Sequence, residues 1–199
     1  LKVDLNERNF PSVLAARYQP WFLALALSIP PCAQEALQAG KVGLDRMVET
    51  AAEDIELEIR SLDSPQAMID LLTSDPIDTQ IEDLKTAIET DTFGKSYAEA
   101  LVALYFEQET ELAWEFSIHE AYKAAGDENI TRLDDQIARM QEGLVTNRNQ
   151  LWFDVLKSEL AKAPSVVAVG APHLPGEQGI LTLLEGEGFK VTRMEIPNG

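Results

Sequence analysis

The sequence predicts a helix-rich α/β protein: a small, partly parallel β-sheet, a large helical insertion and a C-terminal β-α-β unit. Three observations carry the prediction. Val166-Val167-Ala168-Val169 is an apolar, β-branched run that reads as a buried strand, followed by a glycine, a histidine and a helix. In Ile55-Glu56-Leu57-Glu58-Ile59 the apolar residues recur at every second position, as in a strand with one exposed face or at a sheet edge. Between these two segments, from about residue 64 to about residue 163, the apolar spacing is helical throughout.

Taken in order, the first forty residues predict a helix broken at Pro20, with Val13, Leu14, Tyr18, Trp21, Phe22, Leu25 and Leu27 as mostly buried apolar positions. The run from Trp21 to Ile29 is the most hydrophobic window. It is about half the length that a bilayer-spanning helix requires, and proline bounds it on both sides, so it reads as a core helix and no membrane insertion is expected. Residues 43–54 form a helix with Leu44, Met47, Val48 and Ala51 on its apolar face. Ser64 and Pro65 supply an N-cap and a first helical residue. Asp75-Pro76 opens a helix striped by Ile77, Ile81, Leu84 and Ile88, and Gly94 separates it from one through Tyr97, Leu101, Leu104 and Tyr105.

The next helix carries Leu112, Phe116 and His119. After Gly126-Asp127 a polar helix bears Leu133, Ile137, Met140 and Leu144 and continues, bending, through Leu151, Trp152, Val155, Leu156 and Leu160. In the last forty residues, 165–169 and 189–196 are the two strands of the β-α-β unit and 176–185 its helix, with Gly186 and Gly188 as the helix stop. Such a crossover predicts parallel, right-handed pairing.

Composition narrows the function classes. A chain of 199 residues, 45% hydrophobic, can bury one substantial core, so residues 1–199 read as a single domain. Sixteen basic against thirty-four acidic residues give a net charge of −18, which repels phosphate backbones and anionic membranes, so nucleic acid is excluded as a partner. The acidic excess serves solubility more readily than it recruits cations or basic peptides. One cysteine permits no intrachain disulfide and no Cys-rich zinc site, and Cys32, after Pro30-Pro31, reads as a buried inert thiol. Leu1 is preceded by no methionine, basic n-region or h-region, which suggests a processed product or a fragment. The glycines form neither phosphate-loop nor dinucleotide motif, and no Gly-x-Ser-x-Gly elbow is present.

The residues that carry chemistry are few. His173 follows a predicted strand and precedes a predicted helix, the place where ligands collect in α/β folds. A neutral imidazole binds zinc, cobalt or manganese, yet a catalytic metal usually needs about three protein ligands and an open water position. Glu177, Asp63 or Asp45 would have to complete the set. The other reading of His173 is a hydrogen-bonded turn residue. His119 has no motif partner, and its helical spacing from Leu112 makes it a partly buried helix residue.

The string Val-Ala-Val-Gly-Ala-Pro-His-Leu-Pro-Gly-Glu-Gln-Gly-Ile-Leu-Thr-Leu-Leu, with Gly188-Phe189-Lys190-Val191 after it, resembles the C-terminal signature of the TraB/GumN family, which includes the Tiki-type metalloproteases. Pro20-Trp21, Gly43-Leu44-Asp45, Ser61-Leu62-Asp63 and Arg148-Asn149 before Trp152 fall in the same order as in that family. The resemblance implies a peptidase acting on a peptide or protein substrate, with a site built from two Gly-x-x-His motifs, an acidic residue, an arginine and a divalent metal (Mn, Co or Zn).

The second motif maps to Gly170-Ala171-Pro172-His173, giving His173 a catalytic and metal-binding role, and the arginine maps to Arg148. The first motif is absent from this sequence, so the resemblance implies N-terminal truncation, and Asp63 stands where many relatives have glutamate. Arg148 would clamp a carboxylate or steady an oxyanion; on a helix rich in acid it could equally pair with a neighbouring Glu or Asp. The resemblance also implies a bacterial, exported protein. The competing functional class is a noncatalytic peptide-binding or regulatory module using the same cleft. The sequence sets no oligomeric state.

Overall fold

Proline starts helices where the sequence places it. In the computed structural model, which describes all residues except 8, 9, 30, 90–94, 126–129 and 195–199, a short α1 (Lys2–Glu7) and a 3-10 turn (Ser12–Arg17) lead into α2 (Pro20–Ser28). Pro20 is the first residue of α2, where its missing N–H has no partner to lose. The helices α3 (Pro31–Gln38), α4 (Leu44–Asp54) and α5 (Pro65–Leu72) follow. At α5 the predicted cap forms: the Ser64 hydroxyl accepts the Ala67 N–H at 3.0 Å, and Pro65 takes the first helical position. Then come α6 (Ile77–Glu89), α7 (Lys95–Phe106), α8 (Thr110–Ala125) and α9 (Ile130–Gln141). A π turn (Glu142–Thr146) joins α9 to α10 (Asn147–Leu160), and after a long connection with a 3-10 turn (Ala171–His173) the chain forms α11 (Ile180–Gly186). Gly94, Gly126 and Asp127, predicted as helix breaks, lie outside the described residues.

No β-strand is present among the described residues, which corrects the expectation of an α/β fold with a parallel sheet and a β-α-β unit. Residues 55–59, 165–169 and 189–194 have strand-like composition, but a strand exists only when its N–H and C=O groups pair with a neighbour. None of the three forms a ladder. Val166 is 84% exposed, and Ile55, Leu57, Ile59 and Met194 are exposed as well. Glu56 adopts a left-handed φ of 57°, incompatible with a regular strand. The predicted helix stop is present: Gly188 has a φ of +88°, and the Gly188 and Phe189 N–H groups bond back to Glu185 and Leu184.

The chain divides into two compact units, Leu1–Ala138 and Arg139–Gly199. In the first, Leu5, Ala15, Leu23 and Leu27 are buried together, with Phe10, Leu84 and Ile88 packed against them. Tyr18 stacks on Phe22 at 4.8 Å and meets Phe10 edge-on at 5.6 Å. The buried stripe of α2 is Leu23 and Leu27, not Leu25, and Val13 is 82% exposed. Because nearly every residue of α2 is apolar, spacing alone does not select its inner face. Leu44 and Met47 of α4 are exposed too. In the second unit α10 lies against α11, and Trp152, Leu156 and Ile180 are buried. No helix is long and apolar enough to cross a membrane among the described residues.

The two faces of α2 give a direct test. Leu27→Ala is expected to cost about 2–5 kcal/mol, the usual loss for emptying a packed leucine site, while Leu25→Ala costs under about 1 kcal/mol. Urea unfolding followed by circular dichroism measures both; equal costs would refute the assigned inner face.

Candidate functional site

The site is built on the first two turns of α10 and on the connection that leads to α11. Arg148 and Trp152, four residues apart, lie one above the other on the helix; Asn149, Trp152 and Leu156 form its buried stripe. The preceding π turn explains why these positions face inward. Of the expected apolar positions Trp152 and Leu156 are buried, whereas continuing the spacing of Met140 and Leu144 at the ordinary helical period leads to Leu151 and Val155. Both are exposed, Leu151 by 71%. The Asn147 N–H instead bonds to Glu142 O, five residues back, and the extra residue moves the inner face to 149, 152 and 156.

Asn149 has no exposed surface. A buried amide is tolerated only when its polar atoms find partners. Its Nδ2 donates to the backbone oxygens of His173 at 3.1 Å and Gln178 at 2.7 Å, and its Oδ1 lies 2.7 Å from His173 Nδ1. His173 closes the 3-10 turn, its own N–H bonded to Gly170 O at 2.9 Å, and is only 7% exposed. The imidazole tilts over Trp152 with ring centroids 4.5 Å apart. The Arg148 guanidinium carbon stands 4.6 Å from the Trp152 ring centroid, within range of a cation–π attraction, and Nη1 donates to Leu144 O at 3.0 Å. The same Nη1 approaches His173 Nε2 at 3.4 Å.

That approach defines what the site can do chemically. A guanidinium has donors only, so the ring nitrogen facing it is best matched as an acceptor, and the imidazole is best matched as neutral. A proton acceptor and a fixed positive charge thus stand side by side in a largely dehydrated corner, where electrostatic effects are strengthened.

The two residues singled out by sequence, His173 and Arg148, are therefore brought together. Glu177 is an exposed residue of the connection, while Asp45 and Asp63 belong to the first unit. His119 has a side chain 73% exposed, with Glu120 4.0 Å away, which corrects its expected partial burial. The helix beyond His173 begins at Ile180 rather than at residue 176. Sequence reasoning set Asn149 and Trp152 beside Arg148 in the family pattern, and Trp152 on the apolar face, but gave neither a part in the site. Their spacing from Arg148, one and four residues along one helix, was the available signal.

The described residues alone do not assemble a ligand set for the divalent metal that the resemblance implies. A cation at Nε2 would stand beside the Arg148 guanidinium, and no three His, Cys, Asp or Glu side chains gather as a metal site among the described residues.

Fold and site together define a helical protein with an arginine–histidine pair, held by a buried asparagine and a tryptophan, in its C-terminal unit. Residues 1–193 match the TraB/PrgY/gumN family, and the chain belongs to that family. Neither the curated proteins nor the solved structures compared with the chain give a match.

The connection itself can be tested at Gly179. A Cβ at that position would collide with the carbonyl oxygens of Leu174 and Pro175, so Gly179→Ala is expected to destabilise the second unit by about 1–3 kcal/mol, as overpacking does. Gly186→Ala meets no atom within 4 Å and serves as the control. Thermal unfolding in which both variants melt like the wild type would show that the connection is not tightly built.

Proposed function

We propose that this chain acts in peptide-bond hydrolysis, with Arg148 and His173 as the groups that meet the substrate. The observation that carries the reading is the 3.4 Å approach of His173 Nε2 to the Arg148 guanidinium. Amide hydrolysis asks for a base to take a proton from water and a positive group to steady the oxygen on which charge develops. A peptide carbonyl whose oxygen meets Arg148 is polarised by it. Water adds to the carbonyl carbon, Nε2 of His173 takes its proton, and the tetrahedral oxyanion is held against the guanidinium. The C–N bond then breaks as the imidazolium returns that proton to the leaving nitrogen, releasing a carboxylic acid and an amine. Membership of the TraB/PrgY/gumN family supports the reading, because the sequence resemblance that located Arg148 and His173 implies a peptidase.

The chemistry needs both groups in place before substrate arrives. Trp152 serves that end from beneath, its face drawing the guanidinium while its ring limits the imidazole. The Leu144 carbonyl fixes one guanidinium nitrogen at 3.0 Å, which orients the charged plane.

Hydrolysis of quenched-fluorescence peptides tests the proposal, run after EDTA treatment and again with Mn²⁺, Co²⁺ or Zn²⁺ returned. Turnover is expected to fall about 10²–10⁴-fold in His173→Ala, the usual contribution of a general base, and about 10²–10³-fold in Arg148→Ala. His119→Gln is expected to match the wild type. Peptide binding without turnover under every condition would make the chain a binding module instead, and turnover indifferent to His173→Ala would sink the assignment of the base.

A further inference from the structure

We infer that Asn149 is a positioning residue that sets the tautomer of His173, keeping the ring proton on Nδ1 and the lone pair of Nε2 turned toward Arg148. The role rests on the reading of His173 as the proton acceptor and deepens it. Its argument starts from the backbone. The two ends of an asparagine amide look alike, and only their partners tell oxygen from nitrogen. Here two carbonyl oxygens, those of His173 and Gln178, lie 3.1 and 2.7 Å from one end. A carbonyl accepts and never donates, so that end is the NH₂ group. The other end is Oδ1, an acceptor, and it lies 2.7 Å from His173 Nδ1. Nδ1 must therefore carry the proton. A neutral imidazole has one N–H, which leaves Nε2 as the base.

The arrangement holds His173 twice, at its ring and at its own carbonyl oxygen, so the ring cannot turn away without parting from the amide. Asn149 has no exposed surface, and water does not compete for its oxygen. An aspartate would offer the acceptor to Nδ1 but could not donate to the two carbonyls. Asparagine is the side chain that does both.

Nitrogen chemical shifts of the imidazole read the tautomer directly, at a pH where the ring is neutral. The chain has two histidines, so His119→Gln assigns the signals. The wild type is expected to show His173 protonated on Nδ1 in roughly tenfold excess, the bias that about one net hydrogen bond supplies. Asn149→Ala, and Asn149→Ser should the alanine variant not fold, are expected to lose that excess and move the proton toward Nε2, whereas Asn149→Asp, which keeps an acceptor at Nδ1, retains it. A wild-type His173 protonated on Nε2, or a folded Asn149→Ala or Asn149→Ser variant with the tautomer unchanged, would overturn the role; if neither variant folds, the wild-type spectrum decides. The same spectra separate the two ideas: the expected tautomer with no peptide hydrolysis refutes the hydrolytic reading alone, and hydrolysis with the opposite tautomer refutes the role of Asn149 alone.

Discussion

The buried amide of Asn149 is the interaction on which the C-terminal unit depends. One side chain without solvent exposure satisfies two backbone carbonyls of the connection and one ring nitrogen of His173. If it were removed, both carbonyls would lose this donor, and a typical hydrogen bond contributes about 0.5–1.5 kcal/mol net. The connection has little regular structure of its own between residues 161 and 179, apart from one 3-10 turn. Its path over α10 is thus specified by polar contacts more than by apolar burial, Trp152, Leu156 and Ile180 being the buried large apolar side chains among the described residues of the unit. Polar contacts of this kind are directional and give a single geometry, where apolar packing tolerates several.

Around that joint the charged and aromatic groups divide the work. Trp152 touches both Arg148 and His173, offering its face to the guanidinium and its ring surface to the imidazole. The farther end of the unit is tied by an exposed ion pair, Lys157 to Glu187 at 3.3 Å, with the Lys157 ammonium also over Phe153. Such a pair contributes little to stability.

The helices and their starts were legible from short signals that act locally. Ser64 with Pro65, and Pro20 at the head of α2, fix helix beginnings through contacts within a single turn, so neighbours in the chain suffice to predict them. Strands are different. The runs at 55–59 and 166–169 have the composition of strands, but composition cannot provide the second chain segment that a ladder requires, and no described segment pairs with them. In the site, Arg148 and His173 were legible through a family motif, whereas Asn149 and Trp152 stood in that pattern without a part in the site attached to them. The partner of Asn149 is separated from it by 24 residues and consists partly of backbone carbonyls, which have no signature in a sequence.

The π turn at residues 142–146 gives the site a dependence on counting. An α-helix advances about 100° per residue, so removing one residue from that turn would restore the ordinary ladder and swing Arg148 and Asn149 about a quarter of the way round. Composition, helix content and the chemistry of each side chain would all survive. The groups would simply address another direction. The placement of these side chains is therefore written partly in the reading frame of a helix, and a change in length of a single residue would erase what many substitutions of kind would only weaken.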